Sequence, residues 1–411
     1  MLSRRYFLVA TAAWFMAFGM QSVVFAWLVT IVLREPAQLV GWAQTAMLLP
    51  GMLLILLAGA LADRVGPDRQ ALLAQAFAAL TPWVLIVALQ FGVLSFSVMV
   101  VYAVLMGCAT AFVTPARDGL LSHVAGHDVQ RTVLLMSLCQ FGFQILGYFI
   151  AGFADGVGPT AILVVQSVTL LLGVWAFYMV RRHAAVEVDS DAHPSVVKGL
   201  VEGARTVAAS PTMRVVVIQN VAMACFFMGC FIVSFPLVIR EVFDGSSQDL
   251  AVLNAFNSLG LVLTILVMLR VGYVSRPGRA LLIFQGLGAL VLLGSGFVGN
   301  FTLFVVAIFC WGLCGGIAMP MSRTLMQELA PPAQRARVMS FYAFSFMGAG
   351  PLGTLFCGYL SGLFGPQMAI IICGTLMLVV VLFMTAFSQL WHEQFQPQSA
   401  EGSEKGLEVS S

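Results

Sequence analysis

Charge is what this chain has least of. Only 9% of its 411 residues are Asp, Glu, Lys or Arg, against roughly a quarter in a soluble globular domain, so a water-facing surface cannot be assembled from them. The stretches 6–33, 71–113 and 367–390 carry no charge at all. Each is long enough for the about 20 apolar residues that a helix needs to cross a bilayer. A backbone in lipid must satisfy its own amides, so each run reads as helix. The period-two alternation of a membrane β-barrel is missing. A net charge of only +2 gives no electrostatic footprint for nucleic acid.

Several chemistries are missing as well. There is no Ser/His/acid set, no clustered ligand set for a metal and no Gly-Lys-Ser/Thr phosphate loop, so neither an enzyme nor an ATP-driven pump is expected, and no cofactor or metal. The eight cysteines (108, 139, 225, 230, 310, 314, 357 and 373) all fall inside apolar runs and read as small packing residues. Cys310 and Cys314 share a helix face, but no further ligand lies near them in sequence. His123 and His127 are separated by Ala125-Gly126, which speaks against a shared face. All 18 acidic residues fall in expected loops, tails or segment ends. The mid-membrane carboxylate that serves as a proton relay in many pumps is therefore not expected.

What is present is a series of apolar segments, approximately 6–33, 39–62, 71–92, 95–116, 131–153, 160–181, 213–239, 249–271, 279–298, 301–322, 337–361 and 367–390. The first follows Arg4-Arg5, a twin-arginine pattern, but its apolar run is longer than a signal h-region and reads as an uncleaved helix. Turns such as Phe91-Gly92-Val93 are short enough to force antiparallel neighbours. With the N-terminus in the cytoplasm, 18 of the 20 Lys and Arg residues fall inside, and only Arg34 and Arg240 outside. The positive-inside rule thus puts both termini in the cytoplasm.

The one long interior connection begins with a polar stretch, Glu187 to Pro194. It continues with Val197, Leu200, Val201, Ala204, Val207 and Ala208 on one helical face, an amphipathic helix suited to the membrane surface. The expected organisation is a six-helix bundle over 1–183, a linker over 184–212, a second bundle over 213–391 and a disordered tail over 392–411. The bundles echo one another: Pro115-Ala-Arg117 against Pro320-Met-Ser-Arg323, Gly147 and Gly152 against Gly353 and Gly358, and Gly158-Pro159 against Gly365-Pro366. The offset stays between 203 and 207 residues. Six helices separate the copies, so both have the same topology, a parallel repeat about the membrane normal. The fold class is an all-α membrane protein of twelve helices in two bundles.

Between the second and third segments lies Gly59-Ala-Leu-Ala-Asp63-Arg64-Val-Gly66. It resembles the signature loop of the major facilitator superfamily, except that Pro67 and Asp68 stand where basic residues are usual, with Arg69 following. Pro115-Ala-Arg117, Gly203-Ala-Arg205, Pro211-Thr-Met-Arg214, Arg337-Val-Met-Ser340 and Gly348-Ala-Gly-Pro351-Leu-Gly353 are similar to the enterobactin-exporter and drug-efflux branch. Two features of superfamily drug/proton antiporters are absent: an arginine within segment four (Val98 to Ala116) and a Gly-Pro element in segment five.

The resemblance implies a secondary transporter of a bacterial inner membrane, exporting a small amphipathic, siderophore- or drug-like molecule with the proton gradient as driving force. An uptake permease and a non-transporting sensor remain open alternatives. The partners implied are the bilayer, a small-molecule substrate and protons, with the chain a monomer. By the same resemblance Gly59, Asp63, Arg64, Gly66, Arg69 and Asp118 form a gating loop and latch, with Arg276, Arg279 and Glu328 as second-half counterparts. Proton-coupling candidates near the ends are Asp63, Asp118, Asp155 and Glu35. Polar or aromatic residues at membrane depth mark the substrate cavity: Trp14, Gln21, Tyr102, Thr110, Gln219, Asn220 and Trp311, then Gln140, Gln144, Asn254, Asn257 and Tyr342.

Overall fold

The computed structural model describes residues 2–125, 129–183, 196–271, 274–331 and 334–391. The polar stretch 187–194, His127 and the tail 392–411 lie outside these residues, as do the side chains of Asp63 and His123. Among the described residues there is no strand.

The described residues form twelve helices that run the length of the bundle. In the first half they are α1 (Leu2–Trp27, continued by a π-helical stretch Leu28–Val32), α2 (Ala37–Val65), α3 (Pro67–Leu80 with Pro82–Gln90), α4 (Phe96–Ala125), α5 (Val129–Ala151) and α6 (Pro159–His183). In the second half, α7 runs Pro211–Ala222, Met223–Met228, Cys230–Ser234 and Phe235–Glu241. It is followed by α8 (Ser247–Val271), α9 (Pro277–Ser295), α10 (Phe301–Leu329), α11 (Arg335–Phe364) and α12 (Pro366–Phe387). Eleven of them are long and apolar enough to span a membrane, and Leu138–Ala151 supplies a shorter apolar piece in α5. Between the halves lies the linker helix Val196–Ala209.

Local chemistry explains the boundaries. Proline stands at the first turn of α3, α7, α9 and α12, where its missing N–H costs no intrahelical bond. Ser210 and Asn300 cap α7 and α10 by accepting the N–H of Met213 and Leu303. Inside α7, the middle stretches Met223–Met228 and Cys230–Ser234 are π-helical just ahead of Pro236. That proline has no N–H for the ladder and crowds the carbonyl four residues back, which widens the turn.

The repeat read from the sequence is visible in the packing. The pairs α1–α5, α2–α4 and α3–α6 recur as α7–α11, α8–α10 and α9–α12. Gly158 and Gly365, with φ of 88° and 84°, make the same turn into α6 and α12. Gly147 on α5 lies against Met16 and Gly19 of α1, and its counterpart Gly353 on α11 lies against Ala224 and Cys225 of α7. The halves meet along α2–α11 and α5–α8.

Two segments end later than the sequence suggested. Pro115 and Pro320 lie at the ends of the expected segments 95–116 and 301–322, yet α4 continues to Ala125 and α10 to Leu329. A membrane helix tolerates an internal proline because neighbouring groups re-satisfy the freed carbonyl. The consequence for α4 is large, because Arg117 now lies inside a helix.

Candidate substrate cavity

A cavity of about 300 Å³ lies between the halves. From the first half it is lined by Phe18, Gln21, Ser22 and Phe25 of α1, Gln44 and Met47 of α2, Thr110 of α4, and Gln144 and Tyr148 of α5. From the second half come Met228, Phe231, Ile232 and Pro236 of α7 and Asn254 of α8. None of these side chains is charged.

The polar groups of the wall are tied down locally. Gln144 Nε2 donates to the Tyr148 hydroxyl at 2.7 Å, and Asn254 Nδ2 donates to the Leu250 carbonyl at 2.8 Å. Thr110 and Ser22 each bond the carbonyl four residues back, Met106 and Phe18. Gln21 Nε2 points at the Met47 sulfur, 3.0 Å away, while its Oε1 is buried without a partner. A neutral, aromatic and Met-rich surface with a few free amide acceptors suits an amphipathic organic molecule and offers no counter-ion to a strongly charged one.

Of the twelve residues picked out for the cavity, Gln21, Thr110, Gln144 and Asn254 are on this wall. Trp311 and Asn257 line a second, apolar space of about 220 Å³ inside the second half, separated from the first by Met228 and Phe231, which face both. The others lie elsewhere. Trp14 is buried in the core. Tyr102 stacks behind Phe25 at 5.9 Å and accepts a bond from Gln166. Asn220 joins α7 to α11 by donating to the Tyr342 carbonyl and the Ser345 hydroxyl, each at 3.0 Å. Tyr342 donates to Ser322 on α10 at 2.8 Å. Gln219 is buried with neither amide atom bonded, and Gln140 is half-buried outside the lining.

Ser22, Gln44 and Tyr148 on the same wall were not singled out in the sequence. Tyr148 stands one helix turn from Gln144 and from the repeated Gly152, which is a weak signal, and Gln44 has no such neighbour. What brings them to the wall is the α2–α11 and α5–α8 packing, and that cannot be read from one helix alone.

Polar bonds between the halves gather at the end opposite the termini. Thr45 Oγ1 lies 2.8 Å from Thr354 Oγ1 and 3.3 Å from the Pro351 carbonyl. Gln44 Nε2 reaches the Ile232 carbonyl at 3.5 Å. Arg240, one of two basic residues at this end, donates to the carbonyls of Thr30 and Glu35 at 3.2 and 2.6 Å. Asp155 and Ser247 bond reciprocally.

At the end bearing the termini, Gly66 closes α2 with φ of 96°, a conformation glycine adopts without strain, and so sets the turn into α3. Gly59 differs: a Cβ there would meet nothing within 4 Å, so no close helix approach requires it. Arg64 and Arg69 are exposed. Asp68, which stands in a usually basic position, pairs with Arg181 of α6 at 3.4 Å. Asp118 is exposed, 3.8 Å from Arg117 Nε, with Arg323 of α10 within electrostatic reach. Arg276 occupies the N-cap position of α9, and Arg279 stacks on Trp391 at 4.7 Å. Glu328 keeps one carboxylate oxygen buried without a hydrogen bond.

Arg117 is a buried charge that the sequence reading did not single out. It is 6% exposed, its guanidinium lies 4.7 Å over the Phe15 ring of α1, and its Nε and one terminal nitrogen have no hydrogen-bond acceptor. The absence of an arginine from segment four is therefore corrected in part: read to its true end, α4 holds a buried one near the termini-bearing end.

Twelve apolar helices in two repeated halves, around a neutral cavity at their interface, make the architecture of a membrane transporter. The model of the Major Facilitator Superfamily matches residues 7–354 and 220–407, and the chain belongs to that family. It is 27% identical over 394 residues to the multidrug efflux pump Tap of Mycolicibacterium fortuitum, a match covering 90% of this chain and 93% of the relative. Among solved structures, the nucleoside transporter NupG superposes with a TM-score of 0.73 at 14% identity, covering 94% of this chain and 99% of that one. A D-xylose-proton symporter gives 0.70 at 14% identity, with 95% and 99% coverage. These two likenesses concern the fold.

Proposed function

We propose that this protein exports small, neutral or weakly polar amphipathic molecules across a bacterial inner membrane by alternating access, as a monomer driven by the proton gradient. The observation that carries the reading is the uncharged cavity between the halves, with its amide, aromatic and methionine wall. The relative named as a multidrug efflux pump supports the direction. The two halves, 1–183 and 213–391, are the bodies that rock, joined by the 184–212 linker.

The distribution of basic residues supports cytoplasmic termini. With that orientation, the polar bonds at the Arg240 end close the far side of the cavity, and substrate enters from the cytoplasm. Closing the other end brings α4 and α10 together, where Asp118, Arg117 and Arg323 already lie near one another. The cavity holds no carboxylate, so coupling falls to groups outside it: Asp118 first, then Asp63, Asp155 and Glu35.

The test is reconstitution into proteoliposomes with an imposed pH gradient and a panel of amphipathic compounds. Substrate-dependent proton flux is expected in the wild type and lost in Asp118→Asn. Unchanged coupling in Asp118→Asn and Asp63→Asn alike would remove both residues from the mechanism. Compound movement opposite to the proton flux supports export, and movement with it supports uptake.

A further inference from the structure

Three cysteines outside the cavity lining converge behind its wall. Cys230 of α7, Cys357 of α11 and Cys373 of α12 are each 0% exposed. The Cys357 sulfur lies 3.9 Å from that of Cys230 and 3.7 Å from that of Cys373, and all three fall within 4.8 Å of one another. Only the packing of three helices makes this group, since the residues are far apart along the chain.

The backbone is shaped to admit it. Gly229 sits between the two π-helical stretches of α7, and a Cβ on it would come 2.8 Å from the Cys357 sulfur and 2.5 Å from the Gly353 carbonyl. A side chain at 229 would thus displace the central sulfur of the trio. Single π-helical turns inside α-helices occur frequently at functional sites.

Geometry and charge then narrow the ligand. Sulfurs spaced as these are, around one centre, leave that centre about 2.2–2.4 Å from each, which matches a metal–thiolate bond of about 2.3 Å. Thiolates select soft ions such as Cu(I). All three sulfurs are buried from solvent, so a site with net charge is costly. A monovalent ion that displaces one thiol proton leaves the site neutral: M⁺ is held by one Cys–S⁻, the other two Cys–SH groups complete the shell as neutral sulfur lone-pair donors, and one H⁺ is released. A divalent ion would need two thiolates for the same neutrality.

We propose that Cys230, Cys357 and Cys373 form a three-coordinate site for a soft monovalent cation of the Cu(I) class. The site lies in the second half, on the far side of the α7 stretch whose Met228, Phe231 and Ile232 line the substrate cavity, and does not depend on what that cavity carries.

The experiment uses the purified full chain in detergent, without oxygen, titrated with Cu(I) against a chromogenic Cu(I) chelator. One tight equivalent is expected, with affinity rising about tenfold per pH unit because one proton leaves. Cys230→Ser, Cys357→Ser and Cys373→Ser each weaken binding at least about tenfold, while the double variant Cys310→Ser/Cys314→Ser binds as the wild type does. X-ray absorption on the loaded wild type, which requires no variant to fold, is expected to count three sulfurs at about 2.3 Å. Absence of a tight equivalent, its loss in the Cys310→Ser/Cys314→Ser control, or a shell without three sulfurs would each overturn the assignment.

Discussion

Asp155 and Ser247 hold one another across the two halves. The Asp155 carboxylate accepts the Ser247 backbone N–H at 2.6 Å, and the Ser247 hydroxyl accepts the Asp155 N–H at 3.2 Å while donating to the Gly152 carbonyl at 3.1 Å. Asp155 follows α5 and Ser247 opens α8, so the carboxylate faces a helix N-terminus, where the backbone dipole favours an anion. Asp155→Asn keeps the shape and removes the charge. It is expected to weaken this closed end by about 1 kcal/mol, a roughly fivefold shift towards the opposite-facing state. Spin-label distances across this end measure it, and an unchanged distance distribution would mean that the clasp is not part of the gate.

Two glycines separate stability from switching. A Cβ on Gly147 would lie 2.1 Å from the Met16 carbonyl, within one half, whereas a Cβ on Gly41 would lie 2.8 Å from the Thr354 carbonyl, between halves. Gly147→Ala forces α1 and α5 apart in every state and is expected to lower thermal stability by about 1–3 kcal/mol. Gly41→Ala burdens only the state in which α2 and α11 touch, so the conformational equilibrium moves with little change in Tm. Thermal melts and spin-label distances on both variants distinguish the two outcomes.

The cavity wall makes a selective prediction. Gln144→Ala removes the donor to Tyr148, and Asn254→Ala removes the amide facing it from the second half. Each is expected to change KM by about two- to tenfold, the weight of one neutral hydrogen bond, by different factors for different compounds. Asn220→Ala instead breaks the α7–α11 tie and is expected to lower stability while leaving the compound profile unaltered. A uniform loss for all compounds in Gln144→Ala would argue against contact with substrate.

Arg117 is a buried cation with nitrogens left unbonded, an arrangement that costs folding free energy and is retained at functional sites. Arg117→Met fills the space without the charge. Its Tm is expected to equal or exceed that of the wild type while transport falls at least about tenfold. Lower stability with full transport would make Arg117 a packing residue.

Much of the architecture is legible because lipid imposes it: an uncharged run of this length has few choices besides a helix. The parallel repeat was equally open, since Gly158-Pro159 and Gly365-Pro366 needed the same backbone turn and so kept the same residues. The site was less so. Polar side chains at membrane depth serve both cavity walls and helix contacts, and only the tertiary packing separates Gln144, on the wall, from Asn220, between helices. Arg117 lies just past the expected end of segment four at residue 116, while α4 runs on through Pro115 to Ala125. The cysteine trio joins residues from three helices, a coincidence that spacing along the chain does not encode.

The most direct test of the account is accumulation of a panel of neutral and charged amphipathic compounds in cells with and without this protein. The account predicts lower accumulation of the neutral and weakly polar members in expressing cells, restored by a protonophore, with strongly charged members unaffected. Equal accumulation across the whole panel, or higher accumulation in expressing cells, would contradict it.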